Sequence, residues 1–206
     1  LWTQNMLTFR YSKSKFIRQK GKPMPAFHTN FFATVDSLGN PMLCNYTDTL
    51  KRITFFKEAE NNPNLQMEFS PDGKLLAMST ATEAVIYNME SGEELSINYN
   101  NPDLGEFAEF DPVYDIDISK SGSIAIIRAV DLVEVFDSEQ NLVLWTNQSG
   151  VSTQEGLKKV CFSKNEQYIA VATETEVLII DKTGRVLDRS TDKLENIKDI
   201  RFAEND

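Results

Sequence analysis

Met67-Glu68-Phe69-Ser70-Pro71-Asp72-Gly73-Lys74-Leu75-Leu76-Ala77-Met78, followed by Ala84-Val85-Ile86-Tyr87-Asn88, is the stretch that decides the fold. It reads as three short strands joined by two tight turns. Pro71, Asp72 and Gly73 supply the dihedrals that a tight turn needs. Leu75 to Met78 is almost wholly apolar, as expected for a strand covered on both faces.

The same unit recurs downstream. The second copy reads Ile116-Asp117-Ile118-Ser119-Lys120-Ser121-Gly122, then Ile124-Ala125-Ile126-Ile127, then Val133-Glu134-Val135-Phe136-Asp137. The third reads Val160-Cys161-Phe162-Ser163-Lys164-Asn165-Glu166, then Tyr168-Ile169-Ala170-Val171-Ala172, then Val177-Leu178-Ile179-Ile180-Asp181. Phe69 to Tyr87, Ile118 to Phe136 and Phe162 to Ile180 are each 18 residues apart. The units follow one another at 49 residues (Phe69 to Ile118) and 44 residues (Ile118 to Phe162). A further copy opens at Ile200-Arg201-Phe202-Ala203-Glu204-Asn205-Asp206. An earlier, weaker one reads Phe32-Ala33-Thr34-Val35, then Met42-Leu43-Cys44-Asn45-Tyr46, then Arg52-Ile53-Thr54-Phe55-Phe56.

Turns such as Glu90-Ser91-Gly92 and Lys182-Thr183-Gly184 lead into a fourth, outer strand in each unit. Four strands per unit at a period near 40–45 residues is the signature of an all-β, β-propeller fold with antiparallel blades. One such sheet cannot bury its faces alone and must stack on its neighbours. The expected blades span residues 31–64, 65–112, 113–157 and 158–198, with a next blade starting at 199–206. Residues 1–30 are a basic strand and connector, or part of a preceding blade. The set amounts to a partial, open ring of about four blades. Phe69, Leu76, Ile86, Ile118, Ile126, Val135, Phe162, Ile169 and Ile179 occupy matching positions and are expected to lie between sheets.

At these residues the chain resembles the WD-repeat family, most closely over Phe69 to Ala77, and the resemblance extends over residues 32–206. The family's Trp-Asp pair falls at Tyr87-Asn88, Phe136-Asp137 and Ile180-Asp181, so its Trp is absent from all three. Its Gly-His pair is missing too, and the single histidine, His28, lies outside the clear repeats. The hydrogen-bond network that braces typical blades is therefore absent, and blade packing is expected to rest on apolar contact. Two looser resemblances stand beside this one. Asn141-Leu142-Val143-Leu144-Trp145 resembles the outer strands of bacterial quinoprotein-like propellers. Residues 187–202 resemble the blade texture of propeller exchange factors acting on a small GTPase in vesicle transport.

Composition fits an ordinary folded domain: of 206 residues, 41% are hydrophobic and 25% charged. No apolar run approaches the roughly 18 residues of a membrane span. The chain opens on Leu1 rather than Met, so a true N-terminus upstream is expected. Cys44 and Cys161 sit in apolar strand patterns, read as buried reduced thiols. A reducing compartment such as the cytoplasm goes with that reading. The triplets Asn45-Tyr46-Thr47 and Asn147-Gln148-Ser149 read as chance matches to the glycosylation motif in a chain rich in Asn, Ser and Thr.

No glycine-rich phosphate loop, metal-ligand cluster or nucleophile–base pair is present, so no enzyme activity, cofactor or metal is expected. His28 has no partner ligand nearby and reads as structural, and both Cys positions lack the setting of a reactive thiolate. The formal net charge of −10 is unevenly spread. Leu1 to Val35 carries no acid and holds Arg10, Lys13, Lys15, Arg18, Lys20 and Lys22. That segment reads as a charge-protected edge strand or as a contact for phosphate in nucleic acid or acidic lipid. Asp103, Glu106, Glu109 and Asp111, interleaved with Phe107 and Phe110 and continuing to Asp115 and Asp117, read as a solvated inter-blade loop. The other reading is a docking strip for a basic partner. The expected function is a non-catalytic protein–protein interaction scaffold, a propeller subunit of a hetero-complex. The alternatives are exchange-factor activity on a small GTPase and a bacterial ligand-binding sensor.

Overall fold

The computed structural model describes residues 26–27, 31–35, 41–45, 48–52, 65–80, 83–98, 113–128, 132–139, 141–147, 156–190 and 194–203. It holds four four-stranded sheets, each antiparallel and each in simple sequence order. Blade 1 is β1 (Ala26–Phe27), β2 (Phe31–Val35), β3 (Pro41–Asn45) and β4 (Asp48–Arg52). Blade 2 is β5 (Gln66–Phe69), β6 (Leu75–Ser79), β7 (Glu83–Asn88) and β8 (Glu94–Asn98). Blade 3 is β9 (Val113–Ile118), β10 (Ile124–Arg128), β11 (Leu132–Phe136) and β12 (Leu142–Asn147). Blade 4 is β13 (Lys159–Phe162), β14 (Tyr168–Ala172), β15 (Val177–Asp181) and β16 (Val186–Arg189). No helix among the described residues is long and apolar enough to cross a membrane.

The opening blade differs from its expected register. Phe31–Val35, read as an inner strand, is the second strand, and the inner position belongs to Ala26–Phe27. Its repeat is the weakest of the set, and the two residues of β1 are too short a strand to show alternation.

The turns repeat one design. A buried serine follows each inner-strand anchor: Ser70, Ser119 and Ser163. Its hydroxyl accepts a backbone N–H at the entry to the next strand, from Leu75 at 3.0 Å, Ser123 (just before β10) at 3.1 Å and Tyr168 at 2.9 Å. At the end of each third strand Asn88, Asp137 (just past β11) or Asp181 turns its side-chain oxygen onto the N–H two residues on, at 2.9, 2.9 and 2.8 Å. These are Asx turns, in which a short polar side chain stands in for a backbone acceptor.

Three apolar clusters fill the three gaps between blades. Ala33 and Leu43 of blade 1 meet Met67, Phe69, Leu76 and Met78 of blade 2. The opposite face of blade 2, with Ala77, Ala84, Ile86 and Ile97, meets Ile116, Ile118, Ile124 and Ile126 of blade 3. Ala125, Ile127, Val133 and Val135 then meet Val160, Ile169, Val171, Leu178 and Ile180 of blade 4. Because side chains alternate along a strand, Ile124 and Ile126 serve one gap while Ala125 and Ile127 serve the next. Seven of the nine expected core positions are buried, while Phe162 and Ile179 are only half-buried. Ile179 lies on the face of blade 4 that no further four-stranded sheet covers among the described residues.

Candidate functional site

The inner strands of successive blades lie side by side, and their repeat positions line up. Counting back from the anchors Phe69, Ile118, Phe162 and Phe202, the preceding residues are Glu68, Asp117, Cys161 and Arg201. Two residues earlier in each copy stand Gln66, Asp115, Lys159 and Asp199. In an alternating strand both sets project from the same face, toward the next inner strand.

That placement creates polar bridges between blades. Asp117 accepts the backbone N–H of Phe162 at 2.6 Å, and Asp115 accepts that of Val160 at 3.0 Å. Lys159 adds an ion pair to Asp115 at 2.8 Å. Asp115 and Asp117 are thus strand residues that tie blade 3 to blade 4. This corrects two expectations: these acids do not belong to a solvated loop, and blade packing does not rest on apolar contact alone. One blade on, Cys161 occupies the same repeat position, and the backbone N–H of Phe202 is near enough to oppose the upward push of burial on its thiol. Leu194 and Ile197 donate to the carbonyls of Thr175 and Glu174 at 3.0 and 2.9 Å. Residues 199–203 follow as irregular chain that brings Arg201 within 3.9 Å of Glu68 on β5.

A third bridge carries backbone strain. Gly73 and Gly122 adopt φ of +69° and +94° at the tight turn, and Glu166 stands in the matching place of blade 4 at +58°. A side chain there is disfavoured by roughly 1–2 kcal/mol. Its carboxylate reaches back to the turn of blade 3, accepting the Ser121 N–H at 2.9 Å and the Ser121 hydroxyl at 2.6 Å.

Charge at these joints is tuned by burial. Removal from water, the Asp117 charge and then Asp115 push Glu68 up to about 7, against the pull of Arg201. Asp117 is also pushed up to about 7, by burial first and by Asp115, against the N–H bond from Phe162. Asp115 is raised by burial, with Lys159 opposing. Burial and the Asp117 charge push the Cys161 thiol far above its ordinary range, so it is an inert core thiol, as its apolar pattern suggested.

Asp103, Glu106, Phe107, Glu109, Phe110 and Asp111, the basic set Arg10, Lys13, Lys15, Arg18, Lys20 and Lys22, and His28 all lie outside the described residues. Cys44 falls on β3. Among the described residues no group of three or more His, Cys, Asp or Glu is placed to hold a metal ion. A notch of about 180 Å³ lies between blades 3 and 4, walled by Val135, Val143, Phe162 and Ile169, with Asp137 and Lys182 at its rim. It is smaller than the few hundred Å³ of an ordinary small-molecule site. Around the outer edge Leu95, Leu142, Val143, Val186 and Leu187 are exposed on β8, β12 and β16.

No family model and no curated protein matches the chain. Solved structures do. The β-propeller domain of Myceliophteria thermophila Cps50 (Swd1) matches at a TM-score of 0.62 and 13% identity, over 88% of this chain and 58% of that one. A chain of the Mitotic Checkpoint Complex matches at a TM-score of 0.63 and 12% identity, over 93% of this chain and 61% of that one. The chain thus spans about three fifths of the length of the structures it matches. At such low identity the likeness speaks to fold, and it agrees with the stacked sheets: the described residues form four blades of a β-propeller.

Proposed function

We propose that this chain is part of a WD-repeat-type propeller that works as a non-catalytic scaffold, binding other proteins as a subunit of a hetero-complex. The observation that carries the reading is the rigid arc of stacked blades, whose inter-blade joints are both apolar and polar. Such an arc presents broad loop-lined faces, and binding residues usually sit on such loops. One structural neighbour comes from a multi-protein assembly, the Mitotic Checkpoint Complex. The acidic strip of Phe107 and Phe110 with Asp103, Glu106, Glu109 and Asp111 is the proposed docking surface for a basic protein partner. The basic segment from Arg10 to Lys22 is a secondary contact for anionic surfaces. A reducing compartment such as the cytoplasm suits the free, buried Cys161.

The test is reconstitution. Purified chain is mixed with each protein recovered with it from native extract, and mass in solution is measured by light scattering. A stoichiometric complex, weakened when Phe107 and Phe110 are both changed to Ala, is the expected result. Multiple turnover of a nucleotide-exchange or hydrolytic reaction by the chain alone would overturn the scaffold reading.

A further inference from the structure

The inner strands gather charges from four elements into one place. Glu68 comes from β5, Asp115 and Asp117 from β9, Lys159 from β13, and Asp199 and Arg201 from the segment after blade 4. Arg201 approaches Glu68 to 3.9 Å and binds Asp199 at 3.1 Å. Asp117 is held by the Phe162 N–H, and Asp115 by Lys159 and the Val160 N–H. Four carboxylates thus share two cations, held at three points of the arc: Glu68 on β5, Asp115 and Asp117 on β9, and Asp199 in the segment after blade 4. They cannot separate to relieve repulsion while the blades stay stacked.

We propose that this cluster is a proton-sensitive joint: the arc takes up protons at Glu68 and Asp117 when its inner strands assemble, and its blades hold together more firmly at mildly acidic than at mildly alkaline pH. The groups facing Glu68 are Asp115 and Asp117 from β9 and Asp199 and Arg201 from the following segment. Those around Asp117 include Asp115, Arg201 and the backbone N–H groups of Phe162 and Ile118, with Cys161 beside it on β13. Both carboxyls titrate near 7 in the folded arc, against ordinary values of 4.5 and 3.8. Between those ordinary values and about 7 the folded chain binds more protons than the unfolded one. Stability from these groups therefore falls as pH rises through that window and levels off above it. Asp72, Asp137 and Asp181 are shifted downward in their turns, so they act at more acidic pH and in the opposite sense.

The experiment is urea unfolding of the 206-residue chain at about pH 5.5, 7 and 8.5. The unfolding equilibrium of the wild type is expected to shift about tenfold or more toward the unfolded state between the lowest and highest pH. Glu68→Gln and Asp117→Asn each flatten that dependence. Arg201→Gln steepens it, because the guanidinium is what favours the ionised carboxylates. All share every other titrating group with the wild type, so the change of slope isolates the joint. If Asp117→Asn does not fold, Glu68→Gln and Arg201→Gln carry the test. A wild-type midpoint that does not move between the two extremes, or a slope identical in Glu68→Gln and Arg201→Gln, would overturn the proposal.

Discussion

Blade 3 meets its two neighbours in different ways. Toward blade 2 it offers Ile116, Ile118, Ile124 and Ile126, and an ion pair on that face, among the described residues, lies inside its own sheet. Arg128 and Glu134, on β10 and β11, pair at 3.0 Å and are fully buried. Glu134 lies opposite Ile126, which places the pair beside the apolar contact. Toward blade 4 the polar groups cross the gap instead: Asp115 and Asp117 reach backbone amides of β13, and Glu166 reaches back to Ser121. A charge neutralised within one sheet leaves the interface to apolar area, which is tolerant of small slips. A carboxylate that must meet one particular N–H fixes the register between sheets.

The largest effect should come from splitting the buried pair. Glu134→Gln or Arg128→Met is expected to destabilise the chain by about 3–5 kcal/mol, measured by urea unfolding, because the remaining charge stays buried. The combined variant Arg128→Met with Glu134→Leu should recover most of that loss. If it did not, the pair would be more than an internally neutralised charge.

Next comes the apolar filling. Phe69→Ala is expected to lower stability by about 3–5 kcal/mol. Phe162→Ala should lower it less, by about 2 kcal/mol, since Phe162 is only half-buried. Equal losses would mean that blade 4 is covered as completely as blade 2.

Breaking a bridge should have a smaller effect. Asp117→Ala leaves the Phe162 N–H without its acceptor, for a loss of about 1–3 kcal/mol. The sharper readout is amide hydrogen exchange, which should accelerate at Phe162 and stay unchanged on β5 and at Val160, whose acceptor is Asp115. Faster exchange on all inner strands would argue against a bridge local to the gap between blades 3 and 4.

The smallest effect separates strain from bonding at Glu166. Glu166→Ala keeps the strained φ and loses both bonds to Ser121, so it should destabilise. Glu166→Gly loses the bonds but releases the strain, and should be the more stable of the two by about 1 kcal/mol in thermal unfolding. No difference between them would show that the turn relaxes when the bridge is cut.

The alternation in Met67 to Phe69 and the turn at Pro71-Asp72-Gly73 made blade 2 legible before any tertiary structure. So did the matching runs in blades 3 and 4. The serines after the anchors and the acids before them were equally visible as aligned positions. Ser70, Ser119 and Ser163 could have been read as turn braces from their recurrence alone. Asp115 and Asp117 were harder, because they follow a run of acids that resembles a solvated strip. Ala26–Phe27 escaped because two residues cannot display a period.

The sequence by itself determined the hairpins, the blade period and the side of each strand that faces a core, because turn dihedrals and side-chain alternation are properties of a few neighbouring residues. Only the tertiary structure decided that Asp117 meets the amide of Phe162, that Glu166 meets Ser121, and that Glu68 meets Arg201. Those partners lie 45 residues or more apart in the chain. Nothing local specifies them; they meet because one sheet stacks on the next, and the stacking angle and register are set by how whole apolar faces pack.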